Sequence, residues 1–244
     1  MPPPSSGGIA LAQLMGMVRK YPLSKWGANS DSTVQLMIES ERRVFADRAK
    51  WLGDPDFVQV PIGPLLDSIY INNRISSINF AKASLSSDIS EGEFPGYESP
   101  ETTHYSIVDA AGNAVSITTT LNNSFGSKVF VGGAGFLLND EMDDFSVKPG
   151  VANMFGAVGG DANAIVPGKR MLSSMCPVIV TKGGKPSIVV GTPGGTTIPT
   201  SVFQALINVI EFGMSPEDAI NQPKFHQVPI NYPRFHIYLN YYHL

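Results

Sequence analysis

Four short stretches of this 244-residue chain combine residue types and spacing that could do chemistry. The first is Glu101-Thr102-Thr103-His104. A threonine at a loop-to-strand entry, preceded by an acidic loop, could become a new chain terminus if the bond before it were cut. It would then carry a hydroxyl nucleophile together with an α-amine able to act as its base. Ordinary strand threonines beside a surface loop are the plain alternative, because β-branched residues are what strands contain. The second is Val189-Val190-Gly191-Thr192-Pro193-Gly194-Gly195-Thr196, a strand, a glycine turn and a helix start. Free backbone amides there could meet an anion or line an oxyanion hole. With no Lys after the glycines it is not a Walker A loop, its glycine spacing is not the GxGxxG of a dinucleotide fingerprint, and a structural tight turn stays open.

The third stretch, Asn139-Asp140-Glu141-Met142-Asp143-Asp144-Phe145, is dense in carboxylates that could bind a metal or an ammonium group. A solvated acidic turn is the alternative. Apolar Phe136-Leu137-Leu138 before it and Phe145 after it point to partial burial, where carboxylates need partners. The fourth, Lys169-Arg170-Met171-Leu172-Ser173-Ser174-Met175-Cys176-Pro177, sets paired hydroxyls before a strand. Such pairs cap or turn the backbone, or they could grip a carboxylate. His104, His226, His236 and His243 have no metal-ligand spacing, and Cys176 reads as buried and inert.

Composition narrows the rest. The chain is 43% hydrophobic and 16% charged, which excludes a disordered tail. A net charge of −4 gives no basic footprint for nucleic acid or anionic lipid. One cysteine allows no internal disulfide and no Cys-based zinc site. No apolar run reaches the roughly eighteen residues of a membrane span. Met-Pro-Pro-Pro-Ser-Ser-Gly-Gly has no basic residue ahead of its apolar run and is not a secretory signal as it stands.

Several elements must position these stretches. Ile9 to Tyr21 reads as a helix. Ser32 and Gln35 form a capping box for a second, whose Val34, Met37, Ile38, Phe45, Ala49 and Leu52 fall on one face. Gly53-Asp54-Pro55-Asp56 ends it. Shorter helical pieces are expected around Leu65 to Tyr70 and Ile78 to Leu85, then a polar loop from Ser86 to Glu101. From Thr102 the texture is β-branched: a hairpin turning at Gly112-Asn113, a second turning at Gly183-Gly184, then a helix bearing Val202, Leu206, Val209 and Ile210. The class is helices flanking a largely antiparallel sheet.

In this order and spacing the chain resembles the γ-glutamyltransferase family of N-terminal-nucleophile hydrolases. The matching text is Thr102-Thr103-His104-Tyr105-Ser106, Thr120-Leu121-Asn122, Leu137-Leu138-Asn139 through Asp144-Phe145, Leu172-Ser173-Ser174-Met175 and Thr192-Pro193-Gly194-Gly195. Upstream, Pro2 through Gly8, Ala46-Asp47-Arg48 and Leu52-Gly53-Asp54-Pro55 also match, and the likeness runs to Gln227. The resemblance implies an α+β fold, the αββα sandwich of these hydrolases, incomplete at both ends. It implies a proenzyme that cuts itself between Glu101 and Thr102, with residues 1–101 the helical end of a large subunit and 102–227 the nucleophile core of a small one. Residues 228–244 form a divergent tail; a truncated or frameshifted reading frame would account for both ends.

By the same resemblance Thr102 is the nucleophile, acting on γ-glutamyl amides such as glutathione and passing the acyl group to water or an amine. Thr120 orients it, and Gly194 and Gly195 supply oxyanion amides. Asn122, Glu141 and Asp144 hold the substrate α-ammonium, while Ser173 and Ser174 hold its α-carboxylate. No metal or organic cofactor is implied, and the setting is periplasmic or extracellular. The family's carboxylate-clamping arginine has no assignable counterpart here. A related amide acylase, or a non-catalytic fragment, are the alternatives.

Overall fold

The structure is a computed structural model describing residues 1–85, 88–89, 102–151, 158–227 and the backbone of 236–238. It is organised around one long helix. After α1 (Gly7–Val18) and the single turn α2 (Leu23–Trp26), helix α3 runs Asp31–Trp51. The expected amphipathic stripe understates it, because every residue from Leu36 to Ala49 is buried. That run includes Glu39, Glu41, Arg42, Arg43, Asp47 and Arg48. Buried charges need partners, and several find each other: Glu39 accepts from Arg42 (2.9 Å), Arg43 (2.5 Å) and Ser84 Oγ (2.7 Å). Those donors hold its carboxyl below the usual range although burial pushes the other way.

The start of α3 differs from the expected capping box. Ser30 is the cap, its hydroxyl accepting the Thr33 amide (3.3 Å), while Ser32 lies inside the first turn. Helix α4 (Ile62–Leu66) and helix α5 (Ser68–Ser76) replace the piece expected at Leu65 to Tyr70. They part at Asp67, whose carboxylate caps α5 by accepting the Ile69 and Tyr70 amides (2.8 and 3.2 Å). Ile78 to Leu85 forms no helix. Its backbone is committed to α3 instead: Gln35 donates to the Asn79 carbonyl, Arg42 to the Ser84 carbonyl, and the Ser84 amide donates to Glu39. The loop expected from Ser86 to Glu101 lies outside the described residues apart from Asp88 and Ile89.

Both hairpins form as read. Strands β1 (Thr103–Val108) and β2 (Ala114–Thr119) pair antiparallel from Thr103↔Thr119 to Val108↔Ala114. After the short β3 (Phe130–Val131) and β4 (Phe136–Leu137), strands β5 (Val178–Lys182) and β6 (Lys185–Val190) form the second. One face of β5–β6 (Val178, Val180, Ile188, Val190) packs on Val202 and Leu206 of α6 (Ile198–Ile210). Helix α1 lies between α6 and α3, with Leu14, Met17, Leu36, Val44 and Phe203 fully or almost fully buried. Helix α7 (Pro216–Asn221) and strands β7 (Lys224–His226) and β8 (His236–Tyr238), which pair, close the described chain.

The N-terminal Pro/Ser segment is bound into this core. Ser5 bridges Ser173 in parallel, with the Ser6 amide on the Ser173 carbonyl (2.8 Å) and the Ser173 amide on the Pro4 carbonyl (3.1 Å). Gly7 follows at the head of α1, pressed on residues 175–176; a Cβ there would clash with the Met175 carbonyl oxygen and fall 2.8 Å from Cys176 Cβ. Backbone cannot swing aside as a long side chain can, so Gly7→Ala is expected to cost ~1–3 kcal/mol. A thermal melt of the variant several degrees below wild type is the expected reading.

Candidate active site

Strand alternation settles which threonines share a face. Along β1 and β2, His104, Ser106, Ser116 and Thr118 point one way, and exposed Tyr105, Ile107, Val115 and Ile117 the other. His104 Nδ1 and Thr118 Oγ1 are 2.8 Å apart across the ladder, and Ser116 Oγ donates to the Val190 carbonyl (3.2 Å). The Thr103↔Thr119 register, continued by one residue, sets Thr102 opposite Thr120 on that polar face. Directly opposed residues stand about 4.5–5.5 Å apart at Cα, within side-chain reach. Both threonines are half-buried. Glu101 lies outside the described residues.

The polar face leads to the glycine loop. The His104 ring lies against Gly191, where a Cβ would sit 2.8 Å from Nε2 and nearer still to Cε1 and Nδ1. Burial lowers the His104 pKa. Beyond Gly191, Gly194 (φ 131°) and Gly195 (φ 55°) take conformations that side chains rarely adopt. The Gly194 carbonyl is tied back by the Thr197 amide (3.0 Å) and hydroxyl (2.6 Å). Among the described residues, neither glycine amide is given to a backbone carbonyl.

Two residues past Thr120, buried Asn122 (φ 77°) donates its side-chain amide to the Asp140 carbonyl (3.1 Å), while its own amide binds Thr120 Oγ1 (2.9 Å). Asp140 accepts from the Asn123 amide (3.0 Å) and side chain (2.7 Å). The acidic stretch is thereby anchored beside Thr120, and its Glu141–Asp144 portion forms a 3-10 turn. Glu141 and Asp144 hydrogen-bond each other as a carboxyl–carboxylate pair. Desolvation, then the charges of Asp144 and Asp140, push Glu141 up to about 7. Desolvation pushes Asp144 up to about 6 against the opposing pull of Arg48.

Ser173 and Ser174 arrive from the other side. Asn163 joins them to the acidic turn, donating to the Asp144 carbonyl (2.7 Å) while its side-chain oxygen accepts the Leu172 amide (3.0 Å). Arg170 anchors the same loop through its amide (2.8 Å) and Nε (2.9 Å) on Asp54, holding that carboxyl well below the usual carboxylate range. Ser173 Oγ accepts the Met175 amide (3.1 Å), and Ser174 Oγ accepts from Arg48 (3.0 Å). A continuous chain of contacts therefore links Thr120, Asn122, Glu141, Asp144, Ser173 and Ser174; Thr102, Gly194 and Gly195 join through the β1 register and Gly191. Among the described residues no group of three or more His, Cys, Asp and Glu is placed to hold a metal ion.

Comparison with known proteins identifies the family. The family model for gamma-glutamyltranspeptidase matches residues 1–235. The chain belongs to the gamma-glutamyltranspeptidase family. The matched range extends past Gln227. A glutathione hydrolase proenzyme of Pseudomonas aeruginosa is 56% identical over 227 residues, 92% of this chain and 40% of that protein. An acylase ACY 1 proenzyme of a Pseudomonas species (strain SE83) is 36% identical over 224 residues, 91% of this chain and 38% of that protein. The chain thus spans about 40% of the length of these relatives. The crystal structure of a cephalosporin acylase from Bacillus halodurans superposes with a TM-score of 0.72 at 24% identity, over 92% of this chain and 38% of that one. That likeness shows a shared fold, and together with the family match it bears out the N-terminal-nucleophile hydrolase fold class expected from the sequence.

Three residues of the site went unassigned in the sequence. Arg48 stood only inside a matching triplet, Asp140 stood in the acidic stretch without a role of its own, and Asn163 carried no signal. A charge-dense run within a helix that has neighbours on all sides is the feature that marks Arg48.

Proposed function

We propose that this chain carries the self-cleaving, nucleophile-bearing portion of a γ-glutamyl transferase/hydrolase. Residues 1–101 would form the end of the large subunit and 102–227 the small-subunit core. The observation that carries the proposal is the strand register that opposes Thr102 to Thr120 on the face leading to Gly191. In maturation the Thr102 hydroxyl attacks the Glu101 carbonyl carbon and the Glu101–Thr102 C–N bond breaks. The resulting ester is hydrolysed by water, leaving a carboxylate on Glu101 and an α-amine on Thr102.

In turnover that amine accepts the hydroxyl proton as Thr102 Oγ attacks the γ-glutamyl carbonyl, and the proton passes to the departing amine. The Gly194 and Gly195 amides stabilise the oxyanion; one such donor contributes ~2.7–4 kcal/mol. Asn122, Glu141 and Asp144 receive the substrate α-ammonium, and Ser173 and Ser174 its α-carboxylate. Water or an amino-acid or peptide amine then attacks the acyl-threonine ester. Glutathione fits this zwitterionic γ-glutamyl end, and such an enzyme would work in the periplasm or outside the cell. No described helix is long and apolar enough to cross a membrane.

The test has two parts. Intact mass spectrometry after prolonged incubation should show two products meeting at Glu101/Thr102. A γ-glutamyl anilide should then be turned over in preference to a glutaryl amide, which lacks the α-ammonium. Faster turnover of the glutaryl amide would reassign the site to acylase chemistry, and an uncut, inactive chain would overturn the proposal.

A further inference from the structure

Arg48 has no part in the steps above, yet it lies at their centre. It occupies the last turn of α3, is 4% exposed, and directs Nε at Ser6 Oγ (3.0 Å) and Nη2 at Ser174 Oγ (3.0 Å). Asp144 is its electrostatic partner. Arginine offers only donors, and a serine hydroxyl has one proton. Because Ser174 Oγ accepts from Arg48, its own proton must point to another acceptor. Ser6 shows the same division of labour: its oxygen accepts from Arg48 while its proton goes to the Ser173 carbonyl (2.8 Å).

We infer that Arg48 is a positioning residue for both ends of an amino-acid zwitterion: it commits the Ser174 hydroxyl to donate to the α-carboxylate, and it sets its guanidinium on the side of Asp144, at the α-ammonium end. This rests on the proposed function for the identity of the ligand, but the hydrogen bonds stand without it. Arg48 does not itself touch the substrate. Its guanidinium is turned to Ser6 and Ser174, so it orders the carboxylate site through Ser174 and is not the clamp that the resemblance lacks. The charged groups around Asp144 are Arg48 from α3 and Asp140, Glu141 and Asp143 from its own segment.

The test uses the full 244-residue chain, with L-glutamate as probe and the Asp144 carboxyl followed by carbon NMR. Arg48→Met should raise the Asp144 pKa by ~1 unit or more, as loss of a nearby opposite charge does. It should weaken L-glutamate by ~10-fold or more, the scale of a lost hydrogen bond to a charged group. Arg48→Lys keeps the charge without the fork, so Asp144 should titrate as in wild type while L-glutamate still weakens. A merely structural arginine would lower the melting temperature in both variants and leave the Asp144 titration in place; that result, or unchanged L-glutamate binding in a folded Arg48→Lys, overturns the inference. Wild type that binds no L-glutamate would sink the proposed function alone, since the Asp144 titration in Arg48→Met still reports on Arg48.

Discussion

Thr102→Ala is expected to leave the chain as a single uncut species and to abolish γ-glutamyl turnover, while the wild type separates into two products at Glu101/Thr102. The variant removes the hydroxyl that attacks in both reactions, and loss of a hydrolase nucleophile costs on the order of a million-fold in rate. Little else should change. Thr102 is half-buried and precedes the first paired residue of β1, so no ladder bond is lost and the melt should stay within about 0.5 kcal/mol of wild type, as for other peripheral substitutions. Alternation supplies the control: Thr103 is exposed on the opposite face, and Thr103→Ala should still cut. Thr102→Ser keeps a hydroxyl and, once cut, an α-amine, so it should process and turn over more slowly than wild type. Cleavage that persists in Thr102→Ala but stops in Thr103→Ala would move the nucleophile to the other face and reject the register argument.

What could be read in the sequence, and what could not, divides by the distance over which each contact acts. The two hairpins and α6 were legible because β-branched runs, paired glycines and a helical stripe are local signals. The four chemical stretches were legible as separate pieces. Their convergence was not: Arg48 meets Ser174 across 126 positions, and Ser5 bridges Ser173 across 168. Periodicity also misjudged α3, since it marks the apolar face of a helix and is silent when neighbours bury the charged faces as well. At the start of that helix Ser30 and Ser32 offer the same capping chemistry, and only the Ser30 bond to Thr33 decides between them. Ile78 to Leu85 failed as a helix because α3 side chains claim its backbone groups, a competition no window confined to that segment contains.

The Glu141–Asp144 pair carries the second large effect. Binding an ammonium group requires ionised carboxylates, and these two titrate at about 7 and about 6. Affinity for a γ-glutamyl donor or for L-glutamate should therefore be greatest above pH 7 and fall as Glu141, then Asp144, takes up a proton. Asp144→Asn removes the counter-charge outright and leaves Arg48 without it. Truncating one partner of a buried charge pair costs ~2–5 kcal/mol, roughly 30- to several-thousand-fold in affinity. Glu141→Gln should act differently: it retains a hydrogen-bond donor for Asp144 and deletes the repelling charge, so the fall in affinity should move to lower pH. Stability must run against binding. A carboxyl raised in the folded state holds more protons there than in the unfolded chain, so its contribution is complete below about pH 4 and is lost as pH rises through 6 and 7. The free protein should accordingly melt lower at pH 8 than at pH 5.5 on account of this pair, and L-glutamate should restore more of the difference at pH 8. Equal affinities at the two pH values in wild type would remove the pair from the ammonium site.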